Sequence, residues 1–188
     1  LRTSHADAAE FAADAFPTCK GLRIHGKKQA WVLYPFQPVS GIVRIETRVK
    51  VCGDGFALLP ELRNSCGELL ARVAMYHNNL YVSNGDRWEQ IFDPHGGWFY
   101  YPCHNWYEIQ IVADTNTCTY AVMVDGAKRA DGLPLLSKTD DAAQLGFFTD
   151  TDDLLVSSIQ VSDTDTFARH LLPPGKLYDV TQAPYCAA

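Results

Sequence analysis

The sequence predicts an all-β fold, a sandwich of two antiparallel sheets, with one short helix at the N-terminus. Segments that alternate between apolar and polar residues have the period of two that is typical of half-buried strands. Pairs of Asn, Asp and Gly separate these segments, and they tolerate the positive φ angles of hairpin turns. A helical composition occurs only near the start of the chain. These three observations favour ten to twelve short strands and no second helical region.

The clearest strand is predicted at residues 41–51, where apolar and charged side chains alternate almost strictly. One face carries Val43, Ile45, Val49 and Val51, and the other carries Arg44, Glu46, Arg48 and Lys50. Residues 69–75 and 107–111 alternate in the same way. Residues 120–124 are apolar throughout, so we expect that strand to be covered on both faces. Residues 144–149 and 154–161 complete the set.

The two ends of the chain differ from its middle. Residues 4–16 are rich in Ala, Ser4 can cap a helix there, and Pro17 would end it. Residues beyond 163 are predicted to form an extended tail. One domain over residues 1–188 is therefore expected, with a helix at 1–18, the sandwich at 19–163 and the tail at 164–188.

Composition excludes several classes of protein. The chain has 188 residues, 16 Lys and Arg, and 22 Asp and Glu, for a net charge of −6. A strongly basic nucleic-acid footprint is absent, and no apolar run reaches the ~18 residues of a membrane-spanning helix. We therefore expect no nucleic-acid partner and no membrane span.

Six widely spaced cysteines suit a protein of an oxidising compartment, secreted or on the cell surface. They are Cys19, Cys52, Cys66, Cys103, Cys118 and Cys186. Six cysteines allow 15 pairings, among which sequence cannot choose. The pairing we predict is Cys52–Cys66 and Cys103–Cys118, each closing a local excursion, with Cys19–Cys186 joining the termini. The alternative is a set of buried free thiols.

Acidic residues concentrate after residue 130. Asp140, Asp141, Asp150, Asp152, Asp153, Asp163 and Asp165 fall in this part of the chain. They are predicted to lie in solvated turns, and the alternative is a structural calcium site. No calcium-binding loop motif supports that alternative, and no histidine spacing predicts a metal centre.

One pair of predicted strands resembles a known family. Residues 106–114 and 119–126 resemble the paired strands of concanavalin A-like lectin/glucanase domains, of which laminin-G-like domains are the closest kind. Residues 41–50, 145–149 and 159–161 are similar to other core strands of that family. The resemblance covers residues 19–163 and implies a jelly-roll sandwich. Two departures stand out: Ser157 and Ser158 replace acidic residues that can help to hold calcium, and the glucanase signature E-x-D-x-x-E is absent.

Relatives of this kind bind glycans on the concave face of one sheet, so the outward residues of the strands are candidate ligand contacts. If the strands are sheet neighbours, Arg44, Glu46, Arg48, Arg72, Tyr76, Glu108 and Gln110 share one face. Guanidinium groups bind carboxylates through two parallel hydrogen bonds, which suits acidic sugars. The alternative is an ordinary solvated sheet face with cross-strand ion pairs.

A second set of candidates is aromatic. Residues 93–105 read as a loop within a segment rich in Trp, Tyr and Phe. Aromatic rings can stack on the apolar faces of sugar rings, and Trp98 and Tyr100 are the preferred contacts. The alternative is a loop that folds back so that its rings extend the core.

Catalysis needs more than a binding face. A glycosidase needs two carboxylates that flank the scissile bond, and Glu46 and Glu108 are the outward glutamates available. A polysaccharide lyase needs a base, for which Tyr76 or His77 is a candidate, together with Arg48 and Gln110 to neutralise the uronate.

The sequence favours an extracellular carbohydrate-binding module that is accessory to a larger glycan-active or adhesive protein. Two alternatives stay open. One is a polysaccharide-cleaving enzyme, either a glycoside hydrolase or a lyase, and the other is a laminin-G-like protein–protein adhesion domain.

Overall fold

The fold is a sandwich of two seven-stranded antiparallel sheets, as the sequence predicts. The structure is a computed structural model that describes residues 1–12, 21–26, 29–91 and 101–163. We call the two layers sheet A and sheet B. Their inner faces hold one continuous hydrophobic core, which includes Ile45, Val73, Ile109 and Phe147.

Sheet A has the strand order β1-β4-β13-β6-β7-β8-β9. Its strands are β1 (Arg2–Thr3), β4 (Ala30–Val39), β13 (Ala142–Thr149), β6 (Ala57–Arg63), β7 (Leu69–Tyr76), β8 (Asn79–Asn84) and β9 (Arg87–Gln90). Sheet B has the order β12-β11-β10-β5-β14-β3-β2. Its strands are β12 (Ala127–Pro134), β11 (Thr119–Val124), β10 (Tyr107–Asp114), β5 (Ile42–Val51), β14 (Leu154–Asp163), β3 (Gly21–Ile24) and β2 (Ala9–Ala12).

The predicted turns form where their residue types require them. Asp125 and Gly126 join β11 to β12 with φ angles of 50° and 77°. Two successive positive φ angles define the hairpin turn that matches strand twist, and Asp-Gly is one of its preferred pairs. Asn78, with a φ of 59°, and Gly85, with 57°, serve the β7–β8 and β8–β9 turns.

The predicted N-terminal helix is wrong for the residues that the structure describes. Residues 9–12 form β2, which pairs with β3 at one edge of sheet B. Ala8, Ala9 and Ala12 are buried there, and the carbonyl oxygen of Ala8 accepts a hydrogen bond from the His25 N–H. Tertiary packing of small side chains has overridden the helix propensity of alanine. Residues 13–18 lie outside the described residues.

Strand β11 is buried on one face only, which corrects the expectation that both faces are covered. Tyr120, Val122 and Val124 are buried, whereas the residues between them are half-buried.

The two local disulfides that the sequence predicts are also wrong. Cys52, Cys66, Cys103 and Cys118 are free thiols. Strand β6 lies between Cys52 and Cys66, and β10 lies between Cys103 and Cys118. Strands of 7 and 8 residues hold their ends about 20 and 23 Å apart, far beyond the reach of a disulfide. The third predicted pair, Cys19–Cys186, lies outside the described residues.

Among the described residues, no helix is long and apolar enough to cross a membrane.

Candidate functional site

The face that the sequence predicts is divided between the two sheets. Arg44, Glu46 and Arg48 lie on β5, next to Gln110 on β10, in sheet B. Arg72 and Tyr76 lie on β7 in sheet A. The prediction that these residues share one face is therefore wrong. Strands β5 and β7 alternate alike, and only long-range pairing decides to which sheet each belongs.

The outer face of sheet B carries alternating charges in register. Glu46 is opposite Gln110, and Glu108 is opposite Arg48. The Gln110 side-chain N–H donates to a Glu46 carboxylate oxygen at 3.3 Å. These are cross-strand pairs of the kind that stabilise ordinary exposed sheets.

The two candidate acid/base glutamates are brought together on this face as diagonal neighbours. Partial burial raises the pKa of Glu108, and the charges of Glu46 and Asp125 raise it further against the opposing effect of Arg48. The predicted lyase group does not assemble, because Arg48 and Gln110 lie in sheet B and Tyr76 and His77 lie at the end of β7 in sheet A.

The outer face of sheet A is different in character, because aromatic rings cluster on it. Phe56, just before β6, lies with its ring centroid 6.4 Å from that of Tyr76, 6.2 Å from that of Trp88 and 6.1 Å from that of Phe148. Trp31 on β4 is in register with Phe148 on β13, so both side chains point to the same face. We call these five residues the aromatic face.

Much of the aromatic face is open to solvent. Its members Trp31, Tyr76 and Trp88 are 39%, 43% and 40% exposed, and they are three of the four exposed large apolar side chains among the described residues. Ala74 lies between them on the same face and is fully buried, because the larger side chains around it cover it. Contiguous exposed apolar side chains are typical of surfaces that contact a ligand or another protein.

One end of the aromatic face carries two arginines. The Arg72 guanidinium lies 4.7 Å from the centroid of the Trp88 ring, a cation–π distance. One strand away, the Arg63 Nε donates to the Glu61 carboxylate at 2.7 Å, and an Arg63 Nη donates to the Gly67 carbonyl at 2.7 Å. The Arg63 guanidinium is therefore held in place.

Glu61 fits only because its neighbour is a glycine. The Glu61 side chain is 10% exposed, and it is in register with Gly146 on β13. A Cβ at position 146 would lie 2.5 Å from the Glu61 Cγ. Gly146 thus makes room for the carboxylate that fixes Arg63.

The other end of the aromatic face carries a histidine. The rings of His77 and Tyr76 have centroids 4.0 Å apart. The His77 Nδ1 lies 3.7 Å from a carboxylate oxygen of Asp54, and the backbone N–H of His77 donates to the backbone carbonyl oxygen of Asp54.

The acidic turn before β14 positions this end of the face. An Asp150 carboxylate oxygen accepts a hydrogen bond from the Phe56 N–H at 3.0 Å, and Asp152 accepts one from the Gly55 N–H at 3.0 Å. These carboxylates hold the loop that carries Phe56. Within the part of the chain that the structure describes, no group of three or more His, Cys, Asp or Glu is placed to hold a metal ion.

The sequence predicts Arg72 and Tyr76 as site residues, but it does not predict the other members of the aromatic face or the Glu61–Arg63 pair beside Arg72. The missed residues are Trp31, Phe56, Trp88, Phe148, Glu61 and Arg63. Register shifts interrupt the pairing of β6 with both neighbours, so no alternation marks the outward residues of β6. The loop residues Trp98 and Tyr100 lie outside the described residues.

No protein-family model matches the sequence, and no curated protein matches it either. Solved structures do match. A sialidase matches with a TM-score of 0.65 and 12% identity over 78% of this chain, which spans 15% of the sialidase chain. An alginate lyase of polysaccharide lyase family 7 matches with a TM-score of 0.57 and 12% identity, over 84% of this chain and 83% of its own. A carbohydrate esterase from a Shiga toxin-encoding bacteriophage matches with a TM-score of 0.58 and 16% identity, over 85% and 88%.

At such identities these likenesses concern the fold and not the chemistry. They show the fold alone, a two-sheet β-sandwich.

Proposed function

We propose that the protein is an extracellular carbohydrate-binding module and that the outer face of sheet A binds an acidic polysaccharide. The observation that carries this proposal is the aromatic face, with Arg72 beside Trp88 and the hydrogen-bonded Arg63 at one end of it. Exposed Trp and Tyr rings suit the apolar faces of sugar rings. The Arg63 and Arg72 guanidiniums suit sugar carboxylates.

The length of the face supports a polymer over a single sugar. Arg72 and Tyr76 are four residues apart on β7, and extended backbone separates their α-carbons by about 13 Å. This spacing leaves room for more than one sugar along β7. A chain that lies along β7 would place a carboxylate near Arg72 while another of its sugars stacks near Tyr76.

The names of the matching structures support a carbohydrate as the ligand. The names of the sialidase, the alginate lyase and the carbohydrate esterase each refer to a carbohydrate substrate. Alginate is a polymer of uronic acids, so an acidic polysaccharide is the first ligand to test here.

The test compares two tryptophan variants in a binding titration with alginate oligosaccharides and, as a neutral polymer, a β-glucan. Trp88 on β9 of sheet A and Trp106, the residue before β10 of sheet B, each lie beside an arginine, at 4.7 and 5.6 Å. Trp106→Ala is therefore the matched control for Trp88→Ala. We expect Trp88→Ala to weaken alginate binding at least about tenfold, or ~1.4 kcal/mol, and Trp106→Ala to leave it unchanged.

Charge recognition has its own control. Arg72→Ala should weaken alginate binding and reduce its sensitivity to salt, whereas the exposed Arg48→Ala on sheet B should do neither. Equal effects of the two variants, or preference for the neutral glucan, would refute the proposal.

A polysaccharide lyase is the second candidate, and the contact of His77 with Asp54 beside Tyr76 favours it. A carboxylate that orients a histidine is a common arrangement for a general base. In β-elimination the base removes the proton next to the uronate carboxyl group, and the bond to the neighbouring sugar oxygen breaks. The departing oxygen takes up a proton to become a hydroxyl group, and the uronate is left unsaturated. Ultraviolet absorbance of that product during incubation with alginate, lost in His77→Ala, would show that the protein is a lyase. If no absorbance develops, the carbohydrate-binding module remains the proposal.

A glycoside hydrolase would instead use Glu46 and Glu108, since a raised pKa suits a general acid. New reducing ends released from a panel of polysaccharides, and abolished in Glu108→Gln, would show hydrolase activity.

A protein partner whose binding survives deglycosylation would favour the alternative of a protein–protein adhesion domain.

A further inference from the structure

Two of the free thiols lie on either side of a single backbone hydrogen bond. The His104 N–H donates to the Val51 carbonyl oxygen at 2.7 Å. Cys52 follows Val51 in the chain, and Cys103 precedes His104. In planar trans peptides the Cys52 α-carbon lies on the oxygen side of this bond and the Cys103 α-carbon lies on its N–H side.

This arrangement fixes the separation of the two residues within narrow limits. With standard bond lengths and a near-linear hydrogen bond, the two α-carbons are about 4 to 6 Å apart, whatever the rotation about that bond. The α-carbons of natural disulfides are usually about 4.4 to 6.8 Å apart. The pair therefore meets the main backbone requirement for a disulfide, which Cys52–Cys66 and Cys103–Cys118 do not.

Both segments are anchored by other contacts. The Cys52 N–H donates to the Asp153 carbonyl oxygen at 2.8 Å, and the Cys103 N–H donates to the Asn78 side-chain oxygen at 2.6 Å. Both cysteines are half-buried, whereas Cys66 is exposed in the turn between β6 and β7. The two thiols are thus held near each other on fixed backbone.

We propose that Cys52 and Cys103 form a disulfide when the protein is oxidised. The oxidant is a small-molecule disulfide such as oxidised glutathione. One thiol is deprotonated and attacks it, which releases one reduced glutathione and leaves a mixed disulfide. The second thiol then displaces the other glutathione, so two protein thiols are oxidised to one disulfide and one glutathione disulfide is reduced to two thiols.

The bridge would brace one end of the aromatic face without contacting a ligand. Cys52 begins the loop that carries Asp54 and Phe56, and Cys103 is bonded to Asn78 in the turn beside His77. The link would join these two segments covalently. This proposal does not depend on sugar binding.

Peptide mapping of the oxidised full chain tests the proposal directly. The protein is incubated with oxidised glutathione, remaining thiols are alkylated, and the chain is cut with trypsin and a Glu-specific protease. Cleavage after Lys50, Glu61, Glu89 and Glu108 separates Cys52 and Cys103 from the other cysteines. We expect a peptide that joins residues 51–61 to residues 90–108.

Thermal unfolding supplies a second readout. Oxidation should raise the Tm by about 5–15 °C in the wild type and in Cys66→Ser, and it should not do so in Cys52→Ser or Cys103→Ser. Alkylation of both cysteines after oxidation would overturn the proposal. So would stable glutathionylation of either thiol, or a link from Cys52 to any other cysteine.

Discussion

At the residue scale, the most informative contact is that between Glu61 and Gly146. A nearly buried carboxylate needs a partner, which Arg63 supplies, and it needs space, which the missing side chain at position 146 supplies. The sequence shows Glu61, Arg63 and Gly146 as separate residues. Their relation appears only when β6 and β13 pair.

Adding one methyl group at position 146 tests this contact. Gly146→Ala should destabilise the protein by about 1–3 kcal/mol, because the new Cβ would overlap the Glu61 side chain. Chemical denaturation measures the loss. In a Glu61→Ala background the same substitution should cost much less, and an equal cost in both backgrounds would show that Glu61 is not what the glycine accommodates.

Two carboxylates at opposite ends of β10 respond to their surroundings in opposite ways. Burial and neighbouring acids raise the pKa of Glu108, so ionised Glu108 lowers the stability of the folded state. Hydrogen bonds, first among them that from the Asn116 N–H, lower the pKa of Asp114, so ionised Asp114 adds stability.

The corresponding amide variants should therefore shift the melting temperature in opposite directions. At pH 7 Glu108→Gln should raise the Tm and Asp114→Asn should lower it. The gain from Glu108→Gln should vanish as the pH falls through the ordinary carboxyl pKa of 4.5, whereas the loss from Asp114→Asn should begin to shrink below 3.8 and should vanish only below the lowered pKa of the folded Asp114. Calorimetry at pH 7 and pH 3 checks both; shifts of the same sign at pH 7 would contradict the assignment.

At the element scale, the alternation of β5, β7 and β10 predicts which side chains point outward but not which strands are neighbours. Alternation is a local property of the backbone, whereas sheet membership depends on pairing between residues far apart in sequence. The strands and turns could therefore be predicted, and the division of the arginines between two faces could not.

The N-terminal segment shows the opposite failure, in which a local preference gives the wrong element. Alanine favours a helix in isolation, but a segment this short is marginal alone and takes its structure from what it packs against. Residues 9–12 form a strand because they pair with β3 and because Ala8, Ala9 and Ala12 are buried.

The turn between β13 and β14 acts as a support for the β5–β6 loop. Replacing Asp150 by alanine removes the acceptor of the Phe56 N–H and should cost about 1 kcal/mol of stability. Since Phe56 contacts three other rings of the aromatic face, sugar binding should weaken as well. Chemical denaturation and the alginate titration together check this; a stable variant with unchanged affinity would show that the turn does not position Phe56.

The same contacts argue against the calcium alternative for this turn. Oxygens of Asp150 and Asp152 already accept backbone N–H groups. We expect that neither added calcium nor a chelator changes the Tm. A calcium-dependent rise in the Tm, with bound metal found by atomic emission, would restore the calcium site.

At the scale of the whole molecule, the sandwich exposes two outer faces of different chemistry. Sheet B carries charged and amide side chains on β5 and β10, with Glu108 opposite Arg48 and Gln110 opposite Glu46. Sheet A carries exposed rings, with Arg72 and the hydrogen-bonded Arg63 at one end of them. The shared fold does not show which outer face binds a ligand, because unrelated functions use the same architecture. The side chains on each face distinguish the two.

Hydrogen exchange in the presence of alginate oligosaccharides tests the choice of face most directly. The account predicts that the ligand slows amide exchange in β6, β7 and β8 of sheet A and leaves β5 and β10 of sheet B unchanged. Protection confined to β5 and β10 would contradict it and would place the sugar on the other side of the molecule.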